Sequence, residues 1–284
     1  MNRALCCLAV ALLGCTPASP TPVPDPETDP SPPPSTEPST MTLTVREVTE
    51  EGWSGRLVDV TFTNGRDRHL RILPSPRPRP LSEIVAGANP PQPFAAINGG
   101  FYDTSNQPMG LVRAGGEDLH EVGERGGSGI LFVRGGVPRI VHVDGYTSSD
   151  GVTEGLQSID RLVHAGESVV GAGASARRAA RSAVAIDGEG TVHLVVAFDE
   201  RAVAVDEDAR IELGREATRT GPTIAEWADL LRRQPEDGGL GARDALGLDG
   251  GFSTSLVVKS EARALTIVPV NATINAVLLT VNDG

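Results

Sequence analysis

The stretch "AVAIDGEGTVHLVVAF", Ala183 to Phe198, decides the fold. Two apolar runs flank Asp187-Gly188-Glu189-Gly190, so the stretch reads as a β-hairpin with that segment as its loop. The run from His193 to Phe198 has no polar alternation, which predicts a central strand covered on both faces.

Short β-rich runs separated by Gly-rich turns extend outward from this hairpin. Upstream they fall at Leu43–Val48, Arg56–Thr63, His69–Leu73, Phe94–Asn98, Gly129–Val133 and Arg139–Val143. Downstream they fall at Ala202–Val205, Ala245–Leu248, Ser255–Val258 and Ile274–Val281. In Arg56–Asn64, Leu57, Asp59, Thr61 and Thr63 interleave with Val58, Val60 and Phe62, which predicts one face toward water. One helix is well signalled. Thr223 and Glu226 form a T-x-x-E capping box. Ile224, Trp227, Ala228 and Leu231 then share one face, and Pro235 stops the helix. A shorter helix is expected over Leu81 to Ala86. Many strands and few helices without βαβ alternation give an α+β fold, largely antiparallel, in a single large domain from Met41 to Gly284.

The start of the chain reads as a targeting segment. Arg3 precedes an apolar run, Leu5 to Leu13, too short for a comfortable membrane span. Leu12-Leu13-Gly14-Cys15 resembles a bacterial lipobox, so residues 1–15 are expected to be a lipoprotein signal peptide with Cys15 lipidated. The alternative is an ordinary signal peptide cleaved near Ala18. The other two cysteines, Cys6 and Cys7, lie in the same leader, leaving the mature domain without a thiol. Residues 16–40 are mostly Pro, Ser, Thr and acidic residues, with Val23 as the one sizeable apolar side chain, and cannot bury enough surface to order themselves. At ~3.1 Å per residue this tether reaches on the order of 75 Å from a membrane. The expected location is the bacterial cell envelope, lipid-anchored, periplasmic or at the outer surface.

Lys and Arg number 25 against 37 Asp and Glu, a formal charge of −12. That balance argues against nucleic acid as partner. His69, His120, His142, His164 and His193 show no metal-ligand spacing, and no G-x-S-x-G elbow is present.

The stretches that promise chemistry are two glycine turns at strand ends. "FAAINGGFYD", Phe94 to Asp103, places Gly99 and Gly100 after Asn98. "ALGLDGGFSTSLVV", Ala245 to Val258, places Gly250 and Gly251 after Asp249 and before Ser253 and Thr254. Glycines there let backbone N–H groups approach a ligand, and successive N–H groups can cradle an anion. Arg181, directly before the hairpin, can clamp a phosphate with two parallel bonds. Arg177 and Arg178 read as a solvated basic run.

"AINGGFYD", "ARSAVAID", "GPTIAEWADLL" and "DALGLDGGFSTSLVV", in that order, resemble the motifs of the phosphodiester glycosidase family over roughly Phe94 to Val281. Phe252 stands where the family often has a third Gly, Ile159-Asp160 replace a Gly-Pro after Gln157-Ser158, and Gln107 stands where bacterial relatives often carry Arg. The resemblance implies hydrolysis of a sugar-1-phosphodiester at the anomeric bond, on a carbohydrate or sugar-phosphate substrate; no metal or cofactor is expected. It implies Asp249 as the carboxylate that activates water or stabilises the oxocarbenium, with Asp103 as second carboxylate. Arg181, Gly99, Gly100, Gly250 and Gly251 would hold the phosphate, helped by Ser253 and Thr254. Asn98 and Gln157 would bind sugar hydroxyls or orient the reacting groups. Two other readings stay open: a non-catalytic glycan- or cell-wall-binding lipoprotein, and a hydrolase of an ordinary exopolysaccharide or peptidoglycan glycoside.

Overall fold

The structure, a computed structural model, describes residues 32, 35–149, 151–171, 174–206 and 210–281. The lipidation site expected at Cys15 and most of the tether lie outside the described residues. The last residues given to the tether belong to the domain. The Ser39 N–H donates to Asp67 Oδ1 at 2.6 Å, the Thr40 N–H to Thr63 Oγ1 at 2.8 Å, and the Arg66 N–H to Glu37 O at 3.3 Å.

The central hairpin forms as read. Arg181–Asp187 pairs antiparallel with Val192–Asp199, from Arg181 opposite Ala197 to Ile186 opposite Val192. Asp187 fixes the loop by accepting from the Glu189 and Thr191 N–H groups at 2.9 and 2.8 Å. Around it lies a seven-stranded sheet in the order Met41–Glu50, Trp53–Phe62, Val192–Asp199, Arg181–Asp187, Ala242–Gly247, Asp160–His164, Glu167–Ser168. A second seven-stranded sheet runs Val203–Asp206, Arg210–Glu212, Ala264–Val268, Leu256–Lys259, Phe94–Asn98, Thr273–Val281, Arg68–Arg79. One pair in it, Arg210–Glu212 with Ala264–Val268, is parallel. A five-stranded sheet runs Glu117–His120, Val112–Ala114, Val152–Ser158, Gly129–Arg134, Val137–His142. Architecture and class are thus the mostly antiparallel α+β domain expected.

Alternating apolar positions explain the layers. Val58, Val60, Val184, Leu194 and Val196 of the first sheet meet Ile97, Leu256, Val277 and Leu279 of the second in one buried core. Each such side chain contributes about 1.5–3 kcal/mol on burial. The other face of the first sheet, through Leu57, Ala183 and Val195, packs on Trp227, Ala228 and Leu231 of the helix Ile224–Arg232. The outer face of the second sheet carries Leu81, Ile84 and Val85 of the helix Leu81–Ala88. The small sheet is clamped on by Glu154, whose buried carboxylate accepts from the Ile72 N–H at 2.7 Å and the Gly115 N–H at 3.1 Å.

The wet face expected for Arg56–Thr63 forms only at its end, where Thr61 is half-buried and Thr63 exposed. Leu57 is fully buried, and Asp59 is buried against His193, whose Nδ1 lies 3.1 Å from Asp59 Oδ2. Alternation reports side-chain polarity; here a helix covers that face and the polar member takes a partner inside.

Candidate active site

Three strand ends of the first sheet meet at one level. Gly247 lies opposite Asp160 on one side and Ala183 on the other. Antiparallel pairing therefore brings the starts of two strands, Asp160 and Arg181, to the end of the strand that runs on into Leu248-Asp249. Asp249 is held there by backbone on both flanks. The Leu248 N–H donates to Ser182 O at 2.9 Å and the Asp249 N–H to Gly99 O at 3.0 Å.

These ends open into a cleft of about 420 Å³, within the range of small-molecule sites. Asp249, Asp160 and Arg181 line it, with Tyr102, Phe252 and Trp227 as aromatic wall. Asp249 keeps some solvent contact, but burial pushes its carboxyl up to about 6, and a hydrogen bond with Ser253 opposes the rise only in part. Asp160 is raised by burial and pulled back by the Arg181 charge. Arg181 is lowered by burial to about 10, with Asp160 opposing, so it stays cationic at neutral pH. Its Nε donates to Pro222 O at 3.0 Å and its Nη2 to Arg177 O at 2.7 Å. Those bonds use two of the five guanidinium N–H donors and leave the rest for a ligand in the cleft. The Tyr102 hydroxyl is raised by burial and then by the Asp249 charge, and it donates to Ala272 O at 3.0 Å.

The helix that closes one side is fixed by its capping box and by Arg178. The Arg178 guanidinium grips both oxygens of Glu226 at 2.8 and 2.9 Å and reaches Gly221 O at 3.1 Å. Arg178 is therefore a structural strut rather than part of a solvated run. Arg177 is exposed at the cleft rim.

Other expected site residues hold the cleft together instead of lining it. The Asn98 side chain is fully buried; its Nδ2 donates to Asp249 O, and its Oδ1 accepts from Ser182 Oγ at 2.9 Å and the Ser255 N–H at 3.0 Å. Gly99 must be glycine because a Cβ there would lie 1.9 Å from Asn275 Oδ1. Three of the four glycine N–H groups expected to cradle an anion are taken by the protein itself. The Gly99 N–H donates to Asn275 O at 2.9 Å, the Gly100 N–H to Asn275 Oδ1 at 2.7 Å, and the Gly251 N–H to Ala180 O at 2.7 Å. Gly250, Gly251 and Ser253 do line the cleft, while Thr254 is fully buried beneath it.

Two expected residues fall outside it. Gln157 spends its amide on the loop under the small sheet: it accepts from the Leu111 and Gly123 N–H groups at 3.1 and 3.0 Å and donates to Gly123 O and Gly127 O at 2.9 and 2.8 Å. Asp103 caps its own exposed turn, accepting from the Ser105 and Gln107 N–H groups at 2.8 and 3.0 Å. The carboxylate that shares the cleft with Asp249 is Asp160, which in the sequence stands out only as a departure from Gly-Pro. Its signal there is an acid one residue before an apolar run, directly after a motif that aligns with the family.

The cleft thus sets two carboxylates and a fixed cation around one volume, able to hold an anion and take a proton beside it. A family model described as phosphodiester glycosidase matches residues 92–278. The chain belongs to the phosphodiester glycosidase family, as its four motifs indicated. No curated protein matches it. Among solved structures it is similar to the catalytic domain of zebrafish N-acetylglucosamine-1-phosphodiester alpha-N-acetylglucosaminidase, auto-inhibited by its pro-peptide. That match has a TM-score of 0.57 and 15% identity over 92% of this chain and 86% of that one. It is also similar to a hypothetical protein from Synechocystis, with a TM-score of 0.53 and 19% identity over 86% of this chain. The chain spans 62% of the length of that Synechocystis protein. At these identities the likeness is one of fold.

Proposed function

We propose that the protein hydrolyses a sugar-1-phosphodiester at the bond between the anomeric carbon and the phosphate oxygen. The observation that carries this reading is the convergence of Asp249, Asp160 and Arg181 on one cleft in a chain of this family. Arg181 binds the phosphoryl oxygens and stabilises the charge that collects on them as the bond breaks. Asp249 takes a proton from water as it attacks the anomeric carbon, and its negative charge supports the oxocarbenium character there. The water oxygen ends on the free sugar, and the bonding electrons leave with the phosphate monoester. A phosphate departs more readily than an alkoxide, so less is asked of Asp160. It holds Arg181 by charge and supplies a proton to the departing oxygen when protonated. Asn98 acts through Asp249 by fixing its main chain.

The test is release of free sugar from a panel of sugar-1-phosphodiesters, including an N-acetylglucosamine-1-phospho-mannoside, with Asp249→Asn as control. Release that disappears in the variant supports the reading. Turnover of a phosphate-free glycoside instead would favour an ordinary glycosidase. Affinity without turnover would favour a binding lipoprotein.

We place this activity in the cell envelope, on a domain anchored by lipid at Cys15. The leader sequence supports that location, and metabolic labelling with palmitate tests it: label in the wild type and none in Cys15→Ala.

A further inference from the structure

The protein is acidic overall, yet the mouth of this cleft is not. Phe252, at the position where the family often has glycine, lines the cleft, and two guanidiniums stack on its ring. Arg219 lies 5.4 Å and Arg215 6.0 Å from the ring centroid, within cation–π range. Both arginines are exposed, as is Arg177, which lines the cleft. The segment that carries the pair is built in. The Thr218 N–H donates to Gly214 O at 3.1 Å, the Ala180 N–H to Thr218 O at 3.3 Å, and the Gly251 N–H to Ala180 O at 2.7 Å. One run of backbone bonds thus ties the arginine loop to the Asp249 turn. Glu216 is the acid of that loop, so Arg177, Arg215 and Arg219 leave a local excess of positive charge in a chain of net −12.

Arg181 already answers the phosphodiester. Arg215 and Arg219 sit against the ring of Phe252, which lines the same cleft, and so offer a second cationic position to a ligand that extends from it. We infer that Phe252, Arg215 and Arg219, with Arg177, form a subsite for a second anionic group, phosphate or carboxylate, on the aglycone of the substrate. This rests on the reading of the cleft as a sugar-1-phosphodiester site. It also accounts for Phe252: the ring narrows the cleft but holds two flexible guanidiniums in place beside it.

The experiment uses one sugar-1-phosphate esterified with four matched aglycones: 2-phosphoethyl, carboxymethyl, ethyl and 2-aminoethyl. The wild-type protein should turn over the two anionic compounds faster than the ethyl compound, and the 2-aminoethyl compound slowest. Exposed charge pairs of this kind support a spread of about fivefold to tenfold in kcat/KM between phosphoethyl and ethyl at low salt. In an Arg215→Gln/Arg219→Gln double variant that ratio should fall to near one. Phe252→Gly, which removes the ring that holds the guanidiniums, should lower it in the same direction. A preference for carboxymethyl over phosphoethyl identifies carboxylate as the second anion. Equal rates across the four aglycones, or a spread unchanged in the double variant, would overturn the subsite. Equilibrium binding of the same compounds to the Asp249→Asn protein separates this inference from the activity. Charge-selective binding that the double variant abolishes, with no turnover in the wild type, would sink the proposed reaction and keep the subsite. Turnover with no charge preference would do the reverse.

Discussion

The side chain of Asn98 bridges the two sheets at the Asp249 turn, donating to the main-chain carbonyl of Asp249 while accepting from Ser182 and Ser255. It touches the peptide of the carboxylate residue and not the cleft. Removing it leaves a buried hydroxyl and a buried N–H without their acceptor, at roughly 1–3 kcal/mol each. Asn98→Ala should therefore lower stability in urea melts and reduce kcat roughly 10- to 100-fold, with KM changed little. A raised KM at unchanged kcat would instead put Asn98 on the substrate.

Burial of Asp249 predicts a trade between activity and stability. Its folded value, about 6, lies above the ordinary 3.8, so the ionised form is disfavoured in the fold. The stability tied to its protonated form is fully present below about pH 4 and is lost as pH rises through about 6. Ionised Asp249 is the form proposed to act, so kcat/KM should fall on the acid side with an apparent midpoint near 6. Asp249→Asn should abolish sugar release and yet stabilise the protein at pH 8 by roughly 1–3 kcal/mol. Urea melts at pH 4 and pH 8 check this: the gain should appear at pH 8 and vanish at pH 4.

Where the sequence was legible, a local signal matched what the tertiary structure asked. The hairpin around Asp187-Gly190, the strand Phe94–Asn98 and the capped helix after Thr223 carry their reasons within a few residues. The strands Val152–Ser158 and Asp160–His164 escaped because Glu154, Gln157 and Asp160 interrupt any apolar pattern. Each of those polar groups has its partner far along the chain: Ile72 and Gly115 for Glu154, Gly123 and Gly127 for Gln157, Arg181 for Asp160. The site shows the same division. Asp249 and Arg181 stand beside strand ends and were readable as chemistry. The N–H groups of Gly99 and Gly100 both go to Asn275, which lies on a different strand, so they looked free until that strand was in place.

Asp160 and Arg181 should fail differently when altered. Arg181 lines the cleft while its guanidinium is held by Pro222 O and Arg177 O, a geometry lysine cannot copy. Arg181→Lys should lower kcat/KM on a sugar-1-phosphodiester by roughly 10²–10³. Asp160→Asn keeps the shape and removes a charge whose leaving group needs little help, so its loss should be about tenfold, well below that of Asp249→Asn. Steady-state kinetics on the three variants give the order, and a loss at Asp160 equal to that at Asp249 would make Asp160 the principal carboxylate.

His193 predicts a second pH effect, away from the cleft. Its Nδ1 is hydrogen-bonded to Asp59, and Asp187 Oδ2 stands 3.9 Å from Nε2, too far for a hydrogen bond but close enough to act by charge. Burial pulls the imidazole down, but the two carboxylates outweigh it and lift it to about 9, above the ordinary 6.5. A raised histidine contributes stability that is fully present below about pH 6.5 and is lost as pH rises through about 9. The wild type should therefore lose roughly 1–3 kcal/mol between pH 7 and 9.5. Asp249 has largely titrated by pH 7 and so contributes little to that window. In His193→Gln stability should be lower at pH 7 and flat across the window, because a neutral amide has no proton to lose. NMR titration of the ring supplies the direct value, and a midpoint at or below 6.5 would remove the pairing from the account of this fold.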